Sequence, residues 1–271
     1  MGSGGALAVA VHHDRIAVFL RFAGRAPEAA LGYARAEGIR RANGEPTPST
    51  CFHNLAGLAC ADGDFDAAER HARAAVSLSS QALGDDGLSL GGDLCGLGDA
   101  LSEQGRSAEA EACYRRALEL HARSARPDHP EIAYALHNLG DAQCALGRTA
   151  DAEASYRESI VRKTCLFGER HHEIAGTLAN LGAMLFESGR RDEGRASVQQ
   201  ALSIAREVLP LEPPSAQPAS RSHHPWVLQT SQRSAPHCGS KVLQPPFRRS
   251  ALRRVIGDEL APALALTTER R

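Results

Sequence analysis

The sequence predicts an all-α fold: a solenoid of about five helical hairpins, followed by a disordered C-terminal tail. Three observations carry this. Glycines recur at a long fixed interval, small and apolar residues recur in register with them, and both patterns stop near residue 208. Gly63, Gly105, Gly147 and Gly189 stand 42 residues apart, with Gly24 preceding them by 39. Self-similarity at such a period is the signature of stacked supersecondary units.

The register fixes each hairpin. Eight residues before the glycine come Ile16, Leu55, Leu97, Leu139 and Leu181, followed by Ala17, Ala56, Gly98, Gly140 and Gly182. Five residues after it come Ala29, Ala68, Ala110, Ala152 and, as the exception, Gly194. Nine after it stand Tyr33, Ala72, Tyr114, Tyr156 and Val198, and twelve after it Ala36, Ala75, Ala117, Ser159 and Ala201. In the fourth copy Leu136, Leu139, Gly140 and Gln143 follow the i, i+3, i+4, i+7 spacing of one helical face. Gly147 breaks that helix, Thr149 is expected to cap the next, and Ala152, Tyr156, Ser159 and Ile160 restart the period. Small residues at the crossing let two backbones approach. A single hairpin cannot bury its apolar stripe, so the copies must stack.

Composition narrows the class. Hydrophobic residues make up 42% of the 271 and aromatics only 4%, which favours close helix packing over large interlocking side chains. The 31 basic and 32 acidic residues nearly cancel, so charge gives no reason to expect tight nucleic-acid or membrane binding. No apolar run approaches the ~20 residues of a membrane span, and the opening residues lack the basic segment of a secretory signal. Seven cysteines, an odd number with no CxxC pair, argue against a disulfide framework and for a reducing, cytoplasmic setting.

The pattern L-x-x-L-G-x-x-x-x-x-x-G followed by A-x-x-x-Y-x-x-A resembles the tetratricopeptide repeat. The 42-residue period and the segments Leu136-His137-Asn138-Leu139-Gly140 and Leu178-Ala179-Asn180-Leu181-Gly182 are similar to the longer repeats of kinesin light chains. The resemblance covers residues 6–208, read as five repeats, and implies that they stack as a right-handed superhelical solenoid. It implies a groove lined by the first helix of each hairpin, with His53, Asn54, Cys95, Asp99, His137, Asn138, Asp141 and Asn180 at the groove positions. An amide both donates and accepts, so the Asn row can pair with the backbone of an extended peptide, or with neighbouring helices as an inter-repeat ladder. Chaperone-tail receptors of this family hold a carboxylate with Lys and Arg; here the equivalents are Asp99, Glu103, Asp141 and Glu187, with only Arg21 basic. A groove of this sign favours a basic or neutral peptide.

The chemistry of other classes is weakly represented. Adjacent histidines on a helix point about 100° apart, and neither HExxH nor zinc-finger spacing occurs, so no metal and no cofactor is expected. His129 and His171 occupy corresponding inter-repeat turns, where polar capping explains them. Cys95 falls between His53 and His137 in successive copies, the sharpest enzymatic reading, but no oxyanion-hole element accompanies it. Residues 209–271 hold nine of the 14 prolines and clustered arginines, and read as a disordered basic tail. The sequence therefore predicts a non-enzymatic interaction scaffold that binds a protein or peptide rather than a small-molecule substrate. A regulatory module of a larger signalling assembly is the alternative and a cysteine-dependent enzyme the remote one. The ends of such an array also invite self-association.

Overall fold

The computed structural model describes residues 3–82, 87–123 and 128–208. Among them every regular element is a helix, and there are ten: α1 (Ser3–Phe22), α2 (Ala26–Ala42), α3 (Ser49–Asp62), α4 (Phe65–Ala82), α5 (Leu88–Glu103), α6 (Ser107–Arg123), α7 (Pro130–Ala145), α8 (Thr149–Phe167), α9 (His172–Glu187) and α10 (Arg191–Val208). The odd-numbered helices are the first (A) members of the predicted hairpins and the even-numbered ones the second (B) members. The predicted tail, 209–271, lies outside the described residues. The described residues form two compact units, divided between Ser155 and Tyr156.

The turn glycines do what their spacing predicts. Gly24, Gly63, Gly105, Gly147 and Gly189 have φ of 74, 80, 78, 74 and 88°, the left-handed region that L side chains rarely adopt. The following amide then reaches back to close the helix end: Arg106 N donates to Leu101 O at 2.9 Å and Arg190 N to Leu185 O at 3.0 Å. The B helices begin with a clasp that the sequence reading assigned elsewhere. Thr149 is the first residue of α8 rather than its cap. The residue just after the glycine instead holds the first turn, with Arg106 Nε donating to Glu109 at 2.6 Å and Arg148 Nε to Asp151 at 3.1 Å. The second hairpin has a true side-chain cap, Asp64 Oδ1 accepting from Ala67 N at 2.9 Å.

Within the first unit α3 packs on α5 and α5 on α7, while α4 and α6 each pack on the next A helix. Leu97, Leu101, Tyr114, Ala117 and Leu139 form its central apolar cluster. A Cβ on Gly98 would stand 2.6 Å from the Tyr114 ring, so the small residue at this crossing makes room for the tyrosine. In the second unit Ile174, Leu178, Ala201 and Ile204 cluster between α9 and α10. There the crossing is closer still: a Cβ on Gly194 would lie 2.7 Å from Gly182 O, and one on Gly182 would lie 2.8 Å from Gly194 O. The exception in the pattern, glycine for alanine at 194, is thus what lets two backbones meet.

Candidate functional site

Helices α3, α5 and α7 carry seven of the predicted site residues, all in the first unit; Asn180 lies on α9 in the second. Asn54, Cys95 and Asn180 are buried, at 8, 6 and 6% exposure. Cys95 belongs to the apolar cluster around Leu97 and Tyr114. His53, Asp99, His137, Asn138 and Asp141 are part-exposed.

These part-exposed groups are tied to one another across helices. Asn138 Nδ2 on α7 donates to Asp99 Oδ1 on α5 at 2.8 Å, and the Tyr114 hydroxyl donates to the same oxygen at 2.8 Å. Burial, and then the Asp99 charge, push the Tyr114 phenol well above its ordinary value, so it stays a donor. His137 Nε2 stands 3.5 Å from Asp141 Oδ2, one turn along the same helix. His53 Nδ1 lies 2.8 Å from Asp93 Oδ1, and Asp93, 4% exposed, also accepts from Ser79 on α4. The basic residue singled out in the first repeat also reaches this face: the Arg21 guanidinium is 3.5 Å from where a Gly57 Cβ would stand. The A-helix face thus carries Asp99 and Asp141 beside amide, phenol and imidazole groups, with the Arg21 guanidinium near Gly57.

One set of polar residues escaped the sequence reading. Sixteen residues after the turn glycines stand Arg40, Ser79, His121 and Lys163, at 2, 2, 0 and 1% exposure. Each meets a carboxylate of an A helix. Arg40 pairs with Asp14 and donates to Cys51 Sγ at 3.5 Å. Burial and the Asp14 contact push the Cys51 thiol up to about 12. Ser79 donates to Asp93. His121 Nε2 lies 3.3 Å from Glu131 Oε2. Lys163 Nζ lies 3.3 Å from Glu173 Oε2 and donates to Thr177 Oγ1 at 3.1 Å. A polar residue at one fixed register position in four copies was the available signal. The chemical variety of Arg, Ser, His and Lys hid it.

The two histidines read as equivalent caps behave differently. His171 does cap α9, its Nδ1 accepting from Glu173 N at 3.3 Å. His129 precedes α7 without a capping hydrogen bond from its side chain. Its ring instead stacks on His121, centroids 5.5 Å apart and planes 13° apart. The expectation that no metal-ligand set exists therefore meets a cluster: one donor atom from each of His121, His129 and Glu131 lies within 4.8 Å of the others. The local sequence concealed it, because His121 ends one helix and the other two residues begin the next.

Helical hairpins at a fixed period, with glycine-tight crossings and a polar A-helix face, define a repeat scaffold. Models of the tetratricopeptide repeat match residues 47–121, 93–160 and 174–215, together more than half of the chain, which belongs to the tetratricopeptide repeat family. Its repeats are similar to those of kinesin light chains. A kinesin light chain of Podosopora anserina with nearly identical TPR-like repeats superposes with a TM-score of 0.58 at 19% identity, over 73% of this chain and 96% of that one. BtubC (BKLC) of P. vanneervenii gives 0.54 at 23% identity, over 77 and 75%. A Rap protein complexed with Competence and Sporulation Factor gives 0.59 at 14% identity; the match covers 72% of this chain but 53% of Rap. No curated protein matches. The family is one of protein–protein interaction scaffolds and is in general non-enzymatic. Among the described residues no helix is long and apolar enough to cross a membrane.

Proposed function

We propose that this chain is a non-enzymatic cytoplasmic adaptor that holds a basic or neutral peptide segment of a partner protein along the A-helix face of α3, α5 and α7. One observation carries the reading: Asp99 and Asp141, both part-exposed, stand on adjacent A helices, Asp99 accepting from Tyr114 and Asn138 and Asp141 lying 3.5 Å from His137 Nε2. His53, Asp99, His137, Asn138 and Asp141 would contact the peptide, with Asn54 and Cys95 beneath them. Asn180 would play the same part on α9. An acidic peptide terminus would lose its hydration there against carboxylates, at a cost of several kcal/mol on the order of an unpaired buried charge. Rigid stacked helices lower the ordering cost on the receptor side only. The burial of Cys95 within the apolar cluster speaks against thiolate chemistry at that position. The likeness to the Rap protein, whose structure is of a complex with a factor, favours as second reading a regulatory module that responds to a bound partner.

Peptide display on the full chain tests the proposal. The expected selection is rich in Arg, Lys or uncharged residues, and Asp99→Asn with Asp141→Asn weakens the selected peptides. Enrichment of acidic C-terminal peptides, or affinities untouched by the double substitution, would overturn it.

A further inference from the structure

We propose that His121, His129 and Glu131 form a binding site for one divalent transition-metal ion, zinc foremost. The site is separate from the peptide-binding reading and does not depend on it.

The donor set and its spacing carry the inference. Two imidazoles and one carboxylate are a usual ligand combination for zinc, with Zn–N about 2.0–2.1 Å and Zn–O about 2.0–2.2 Å. A tetrahedral ion at those lengths sets its ligand atoms about 3.3–3.5 Å apart. His121 Nε2 lies 3.3 Å from Glu131 Oε2, and His129 Nδ1 lies 3.8 Å from the same oxygen. These two separations lie at or near that requirement, and the donor atoms of His121 and His129 lie within 4.8 Å of each other. His121 is wholly buried, while His129 and Glu131 keep 19 and 18% of their side chains exposed, which leaves an entry path.

The surroundings are shaped around these groups. A Cβ on Gly91 would stand 2.7 Å from His121 Nε2, and one on Gly92 would stand 3.3 Å from Glu131 Oε1. Two consecutive glycines of α5 thus leave the space that the imidazole and the carboxylate fill.

The next repeat supplies the comparison. The 42-residue period aligns Lys163, His171 and Glu173 with His121, His129 and Glu131. At that junction a buried ammonium faces the carboxylate at 3.3 Å. Where histidine stands for the lysine, a metal ion takes the place of the fixed positive charge. Three protein ligands leave a coordination position for water or for a donor side chain of another molecule.

Cobalt(II) titration of the tag-free full chain, followed by optical absorption, tests the site. The expected result is one cobalt per chain, a visible ligand-field band without the near-ultraviolet thiolate band, and displacement by zinc. His129→Gln and Glu131→Gln, each checked for wild-type helicity by circular dichroism, should weaken uptake on the order of tenfold or more. Three results would each overturn the proposal: no saturable uptake by the wild type, uptake with a thiolate band, or uptake unchanged in both variants.

Discussion

The junction around His121 in the first unit and the one around Lys163 in the second use the same three register positions. They place different partners beside the carboxylate. At the second junction a lysine 1% exposed faces Glu173 and donates to Thr177, a pairing with a fixed charge inside. At the first, two stacked imidazoles stand where the ammonium would be, beside Glu131. The backbone is indifferent to the exchange because the position sits late in a B helix, where Arg, Ser, His and Lys are all tolerated. The chemistry of each junction is therefore set by single side chains within a constant frame.

The largest effect should come from breaking the fixed pair. Lys163→Met leaves the Glu173 carboxylate against a buried apolar chain and should cost about 3–5 kcal/mol, read from the urea midpoint. His121→Leu, measured without metal, should cost clearly less. Equal losses would contradict the distinction drawn between the two junctions.

Next in size are the glycines. Gly91→Ala should cost about 1–3 kcal/mol by driving a methyl into His121, and should weaken cobalt uptake although no ligand has changed. Gly176, on α9, has open space where its Cβ would stand, and Ala there should stabilise by up to about 1 kcal/mol. A Gly176→Ala loss comparable to Gly91→Ala would contradict the packing account.

The junctions should also separate on acidification. Burial first, and then the neighbouring His172 charge, lower His171 from its ordinary 6.5, so the fold favours its neutral ring. The stability this gives is complete above pH 6.5 and is lost as pH falls from there to the lowered value, when protonation removes the Nδ1 acceptor that caps α9. His171→Asn keeps a capping acceptor and should flatten that part of the pH profile. Glu131 behaves the other way in the scale: its contribution is complete above the ordinary 4.5 and is lost only as pH falls through its lowered value. Thermal melts across pH should therefore lose the His171 contribution first and the Glu131 contribution later. The smallest effect belongs to the exposed clasps. Removing Arg190, whose pair with Glu193 is open to solvent, should change stability by no more than about 0.5 kcal/mol.

How far these features could be read in advance follows from their physics. The hairpins were legible because a left-handed turn needs glycine and a helix crossing needs a small residue, two demands that few residue types meet. Leu97, Gly98 and Tyr114 gave the crossing that the structure displays. The side-chain partners were less legible. Asn138 was expected at the groove, and its bond to Asp99 realises the inter-repeat alternative in that position without removing its exposure. The buried polar column was invisible to a search for recurring residue types, because what recurs there is a need to face a carboxylate, which four different side chains satisfy. His129 and His171 looked alike in the sequence and differ in what they meet: the ring of His121 for the first, the Glu173 amide and the Phe167 ring for the second.

The adaptor reading is tested most directly by hydrogen exchange on the full chain with and without a displayed peptide of the selected class. The account expects added protection in α3, α5 and α7, lost on Asp99→Asn with Asp141→Asn. Protection confined to the B helices or to the inter-repeat turns would contradict it.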